Sequence, residues 1–189
     1  VNTLIINENI TLECYKSTTS DPIGSDGDRY NPSDAVDSQT STTYLSDLTS
    51  INLEINGGEI KCGEDPQRSY AVNNVKMNGG KVTNVNINGS LEIESGDVTI
   101  ENKTTGNVTI TEGTNTITTG TMGDLTILDG TNTITAESAN TMTVKGTNEL
   151  NINNITGDVQ AEGTTTINNA EITGDVQAEG TTTINNAEI

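Results

Sequence analysis

The chain has 189 residues, 8 basic and 27 acidic side chains, a formal charge of −19, and no His, Trp or Phe. Hydrophobic residues make up 30% of it, against roughly 45–50% in an ordinary globular domain, whereas 34 Thr and 25 Asn fill nearly a third of the positions. That composition lacks the Leu, Ala and Lys of a helical bundle, offers no apolar run near the ~20 residues of a membrane span, and argues against nucleic acid or anionic membrane as partner.

The opening TLIINENITLEC alternates apolar residues at Leu4, Ile6, Ile10, Leu12 and Cys14, which predicts a strand path with one buried face. A similar strand recurs at INLEINGGEIKC, with Leu53, Ile55, Ile60 and Cys62 in the alternating positions. Between them lie about 35 residues rich in Asp, Ser, Thr and Gly, and a loop of that length is either functional or disordered. Residues 1–50 therefore read as an entry strand plus an acidic excursion that caps the remainder, residues 51–189. Within the excursion Asp26, Asp28, Asn31, Asp34 and Asp37 supply closely spaced oxygen donors, a candidate Ca²⁺ site whose alternative is a solvated acidic loop. The two cysteines end matching strands. If those strands stack, Cys14 and Cys62 come to disulfide range, implying an oxidising compartment; two buried thiols are the alternative.

Beyond residue 80 a period takes over. Glycines at 80, 96, 113, 130, 146, 163 and 180 are spaced 16 or 17 apart, and the last 34 residues are two perfect copies of TGDVQAEGTTTINNAEI. Aligned on Gly, the segments read GDVTI, GTNTI, GTNTI, GTNEL, GTTTI and GTTTI, with Ile100, Ile117, Ile134, Leu150, Ile167 and Ile184 always apolar in fifth place. A second apolar pair follows: Val108/Ile110, Leu125/Ile127, Met142/Val144, Val159/Ala161 and Val176/Ala178, with a third at Ala170/Ile172. Pairs spaced i, i+2 mark short strands of 3–5 residues, which cannot bury a face alone but can when coil stacks on coil. The predicted fold is all-β: a parallel β-solenoid of about 17 residues per coil, right-handed by the preference of parallel crossovers. Gly belongs at a corner where φ turns positive. Position three (Val98, Asn115, Asn132, Asn148, Thr165, Thr182) is expected to form a ladder of hydrogen-bonded side chains if it points inward.

The surface yields two further candidates. Glu112, Asp129, Glu162 and Glu179 precede successive corner glycines, and Asp158 and Asp175 form another acidic pair; bound Ca²⁺ or simple salt screening would relieve the repulsion. Thr114/Thr116, Thr131/Thr133, Thr164/Thr166 and Thr181/Thr183 form an outward T-x-T array, interrupted by Glu149. This array looks like the ice-binding face of some antifreeze solenoids, although Thr is also an ordinary exposed strand residue. Without His a catalytic triad is unavailable, and the repeats carry neither an aromatic platform for a sugar nor a long insertion over a groove, so the chain does not read as an enzyme.

The run ITGDVQAEGTTTINNAEITGDVQAEG resembles the GDV rungs of bactofilins, bacterial β-helices that polymerise end to end without nucleotide. Upstream, INGGEIKCG, YAVNNVKMNGG and NVNINGSLEIESG look more like repetitive bacterial surface or adhesin-type β-solenoids. The first resemblance implies a structural protein whose principal partner is another copy of itself, and the second places it at the cell surface or outside the cell. A start at Val without a signal peptide fits a processed secreted chain or a trimmed one, and repeats running to Ile189 without a polar cap suggest further repeats or a second subunit stacked there. An adhesin stalk with its ligand site on the excursion is the other reading. No cofactor other than Ca²⁺ is expected.

Overall fold

The computed structural model describes residues 2–13, 51–62, 70–168, 170–186 and 188. The structure is an all-β parallel solenoid, and its eighteen described strands join in one continuous sheet. In chain order, β1 (Asn2–Asn7) and β2 (Thr11–Glu13) make the first coil, and β3 (Ile51–Asn56), β4 (Glu59–Lys61) and β5 (Tyr70–Val72) the second. β6 (Val75–Thr83) and β7 (Val85–Ile87) make the third, and β8 (Leu91–Glu101) and β9 (Thr104–Thr105) the fourth. The fifth holds β10 (Val108–Ile110) and β11 (Thr114–Met122), the sixth β12 (Leu125–Ile127) and β13 (Thr131–Ala139), and the seventh β14 (Met142–Val144) and β15 (Thr147–Ile155). β16 (Val159–Asn168), β17 (Glu171–Ile172) and β18 (Val176–Asn185) complete the described stack.

Every ladder between these strands is parallel, and like stands over like. On the first face one inward column runs Leu4, Leu53, Val75, Leu91, Val108, Leu125, Met142, Val159, Val176. On the second face the matching column is Leu12, Ile60, Val82, Ile100, Ile117, Ile134, Leu150, Ile167, Ile184. A third face contributes Val72, Ile87, Met122, Ala139, Ile155 and Ile172, with Thr105 among them, all buried. Three apolar columns meeting along one axis form a single continuous core. No coil could close such a core alone, so each coil depends on its neighbours.

Short three-residue strands such as β10, β12 and β14 match the expected 3–5 residues, but others are longer. β16, for example, runs ten residues from the first face to the second without a break. It can do so because the bend falls on Gly163, whose φ is +92°, and whose missing Cβ would lie 2.6 Å from the Gly146 carbonyl of the coil beneath. The corner glycine thus meets two demands at once: a backbone region hostile to side chains and an approach too close for one. A second difference concerns Ile10, expected inward but 41% exposed. Asn9, at φ +64°, turns the chain before it, so the alternation is broken between Ile6 and Leu12.

Candidate functional surface

Position three of the repeat points inward and, as expected for that orientation, builds a side-chain ladder. Asn115 Nδ2 donates to Asn132 Oδ1 at 2.8 Å, Asn132 Nδ2 to Asn148 Oδ1 at 3.0 Å, and Asn148 Nδ2 to Thr165 Oγ1 at 3.3 Å. Each amide also donates to the carbonyl three residues back, those of Glu112, Asp129 and Lys145. All four ladder residues are buried. Because every amide donates toward the next coil, the first member has a spare acceptor: Asn115 Oδ1 is buried without a partner, since Val98 stands beneath it.

A second ladder, at the corner before the first face, is not anticipated by the apolar pattern. Side-chain carbonyl or carboxylate oxygens cap the backbone N–H of the coil above: Asn74 for Ser90, Asn107 for Asp124, Asp124 for Thr141, and Asp158 for Asp175. The sequence does carry the signal, because an Asx or Thr residue precedes the apolar pair in each of these coils (Asn107, Asp124, Thr141, Asp158, Asp175). The Asp158/Asp175 pair therefore has a structural role, with Asp158 Oδ1 accepting from the Asp175 amide at 3.0 Å.

The acidic column beside the glycine corner is relieved in part by Lys145, whose Nζ lies 2.9 Å from the Glu162 carboxylate. Among the described residues no three acidic or cysteine side chains converge as metal ligands. The candidate Ca²⁺ donors Asp26, Asp28, Asn31, Asp34 and Asp37 lie outside the described residues. So does Cys14. Cys62 is fully buried just after β4, and no described cysteine is free.

In the first four coils the outward columns alternate in charge: Glu54, Lys76 and Glu92 stack on the first face, and Glu59 faces Lys81 and Glu13 faces Lys61 on the second. Lys76 Nζ also meets Glu94 at 2.7 Å. The hydrogen bond to Glu94, reinforced by the fields of Glu94, Glu92 and Glu54, holds the Lys76 ammonium above its ordinary pKa.

From the fifth coil upward the second face changes character. Its outward columns are Thr114, Thr131, Thr147, Thr164, Thr181; then Thr116, Thr133, Glu149, Thr166, Thr183; then Thr118, Thr135, Asn151, Asn168, Asn185. The T-x-T residues read from sequence are all brought together on this face, each exposed or half-buried. Asn168 Nδ2 donates to Asn151 Oδ1, and Asn185 Nδ2 to Asn168 Oδ1, both at 3.0 Å. Neighbouring columns are about 6.6 Å apart along a strand and successive coils about 4.8 Å apart, so hydroxyls and amides form a flat grid. Only Glu149 carries charge on it. Around the next corner Gly120 interrupts an outward column between Lys103 and Glu137, leaving a shallow groove of about 460 Å³. A Cβ at Gly120 would lie 2.6 Å from the Lys103 carbonyl.

No protein-family model matches the chain, and no curated protein or solved structure matches it at a significant level.

Proposed function

We propose that the protein is an extracellular structural rod, lengthened by stacking further coils of its own repeat over β18. The observation that carries this reading is the pairing of β16 with β18, in which Val159–Asn168 lies over Val176–Asn185 with every residue against its identical counterpart. Two identical coils that fit each other face to face also define the fit of the next one. What β16 presents upward, β18 presents again. Val159, Ala161 and Ile167 are buried by that contact, while Val176, Ala178 and Ile184 are half-buried or exposed. Such heterologous, non-closing contact yields an open fibre.

An oxidising setting is supported by the register of β2 on β4. Leu12 faces Ile60 and Glu13 faces Lys61, and Cys62 follows β4 directly, fully buried and not a free thiol. We assign Cys14 and Cys62 to a disulfide, the form expected of a secreted protein. The test is electron microscopy and light scattering across a concentration series. Rods of one coil width that lengthen with concentration support the reading. Compact particles of constant mass at every concentration reject polymerisation. A second reading, ice binding, draws on the exposed in-register Thr columns; thermal hysteresis tests it, and Glu149 weighs against it.

A further inference from the structure

We infer that the threonine face of the second sheet is a self-recognition surface through which two copies pack side by side, and that Glu149 holds this association in check. Charge distribution is the first ground. A molecule of net charge −19 repels its copies wherever acids meet, yet across fifteen outward positions from Thr114 to Asn185 this face carries a single charge. The other faces are narrower or more charged. The first has a single outward column, Thr109, Thr126, Thr143, Gln160 and Gln177, between a corner of Asp124, Asp158 and Asp175 and the corner of Glu112, Asp129, Glu162 and Glu179 that it shares with the threonine face, and the third presents Glu137, Glu171 and Glu188.

Geometry is the second ground. The face is a parallel, in-register array of short Thr and Asn side chains broken only by Glu149, the arrangement in which paired sheets interdigitate as a dry zipper about 10 Å apart. A second copy supplies the same grid at the same coil spacing. When the two rods run parallel about a twofold along their axis, the acidic corner of one meets the column Lys103, Gly120, Glu137, Asn153 of the other and not its own counterpart. Area sets the strength. Five coils of about 4.8 Å and a strand width of about 16 Å give roughly 400 Å² per partner. That is about half of the ~800 Å² per partner of a stable complex. Pairing is therefore weak for one chain and accumulates with each coil added to a rod. Glu149, between Thr133 and Thr166 in its column, meets a low-dielectric contact there, as single charges on exposed sheet surfaces do to oppose association.

This inference stands apart from end-on stacking, because side-by-side pairing changes a rod's cross-section and stacking changes its length. Small-angle scattering reads both. The chain, Glu149→Thr, and Glu149→Thr combined with Thr133→Glu and Thr166→Glu are compared over concentration and salt series, with circular dichroism to verify the fold. Glu149→Thr is expected to strengthen pairing about tenfold or more, since like charges facing across a contact oppose association, with the cross-sectional mass doubling. The triple variant is expected to return to single width, and salt to promote pairing of the unaltered chain by screening. An unchanged cross-section for Glu149→Thr at every concentration and salt overturns the inference, as does association that persists in the triple variant.

Discussion

Replacing Asn132 by Ala tests whether the buried amide ladder acts as a unit. Asn132 accepts from Asn115 at 2.8 Å and donates to Asn148 Oδ1 at 3.0 Å and to the Asp129 carbonyl at 3.3 Å. Truncation removes all three bonds and leaves Asn148 Oδ1 buried without its donor. The stranded Asn148 Oδ1 costs about 1–3 kcal/mol and the two other bonds about 1 kcal/mol each, so the expected loss is about 3–5 kcal/mol. Replacing Asn115, Asn132 and Asn148 together by Val is a different experiment. No amide is then stranded, and the carbonyls of Glu112 and Asp129 belong to exposed corner residues where water can replace the lost donor. Val98 already fills the same column one coil below, 1% exposed. Of the buried side chains only Thr165, whose Oγ1 accepts from Asn148, loses its donor, so the triple variant is expected to cost about 1–3 kcal/mol, less than Asn132→Ala. Urea unfolding followed by circular dichroism measures both, with the denaturant slope compared to detect loss of cooperativity. Additive costs, with the triple variant far less stable than the single one, would refute the reasoning; neighbours in one network should instead couple strongly.

Three further outcomes are expected. Gly163→Ala should cost about 2–4 kcal/mol in the same assay, from its φ of +92° and the overlap of a Cβ with the Gly146 carbonyl, conformations and contacts that side chains resist. Val98→Thr should be milder than Val108→Thr by about 1 kcal/mol or more, since a hydroxyl at 98 can donate to the unpaired Asn115 Oδ1 whereas 108 is stacked between Leu91 and Leu125; equal losses would reject this use of the spare acceptor. Reduction of the proposed Cys14–Cys62 bridge should lower stability by about 4 kcal/mol, the chain-entropy value for a loop of that length, and mass spectrometry before and after alkylation under non-reducing conditions counts the thiols directly.

Much of this architecture is legible in the sequence because stacking repeats every constraint at a fixed interval. One Gly in a chain says little, but Gly96, Gly113, Gly130, Gly146, Gly163 and Gly180 say that the same corner recurs. The inward position of Asn115, Asn132 and Asn148 is readable for the same reason: their neighbours at i+2 are Ile117, Ile134 and Leu150. Where the interval fails, so does the reading. The coils before residue 91 differ in length, standing 22 and 16 residues apart at Leu53, Val75 and Leu91, and there the expected burial of Ile10 is wrong. The Asx corner ladder is hidden from an apolar pattern because its bonds run from side chain to backbone. The joining of two faces into one strand through Gly163 is likewise a hydrogen-bond property, invisible to alternation.

Parallel stacking in register also explains the composition. Where a coil repeats, each side chain has its own kind about 4.8 Å away, so a coil can be repeated only with residues that tolerate themselves as neighbours. Asn does, because an amide donates on one side and accepts on the other, as Asn115 through Asn148 show. Thr does on the outer face, and Ile or Val does in the core. Charge does not, unless it alternates, and the early coils alternate it: Glu54, Lys76, Glu92. From Thr114 onward the second face has almost no charge, and the acids move to corners where solvent screens them. The two identical copies at 156–172 and 173–189 carry this logic furthest, since a sequence that stacks well on itself can be duplicated with no compensating change.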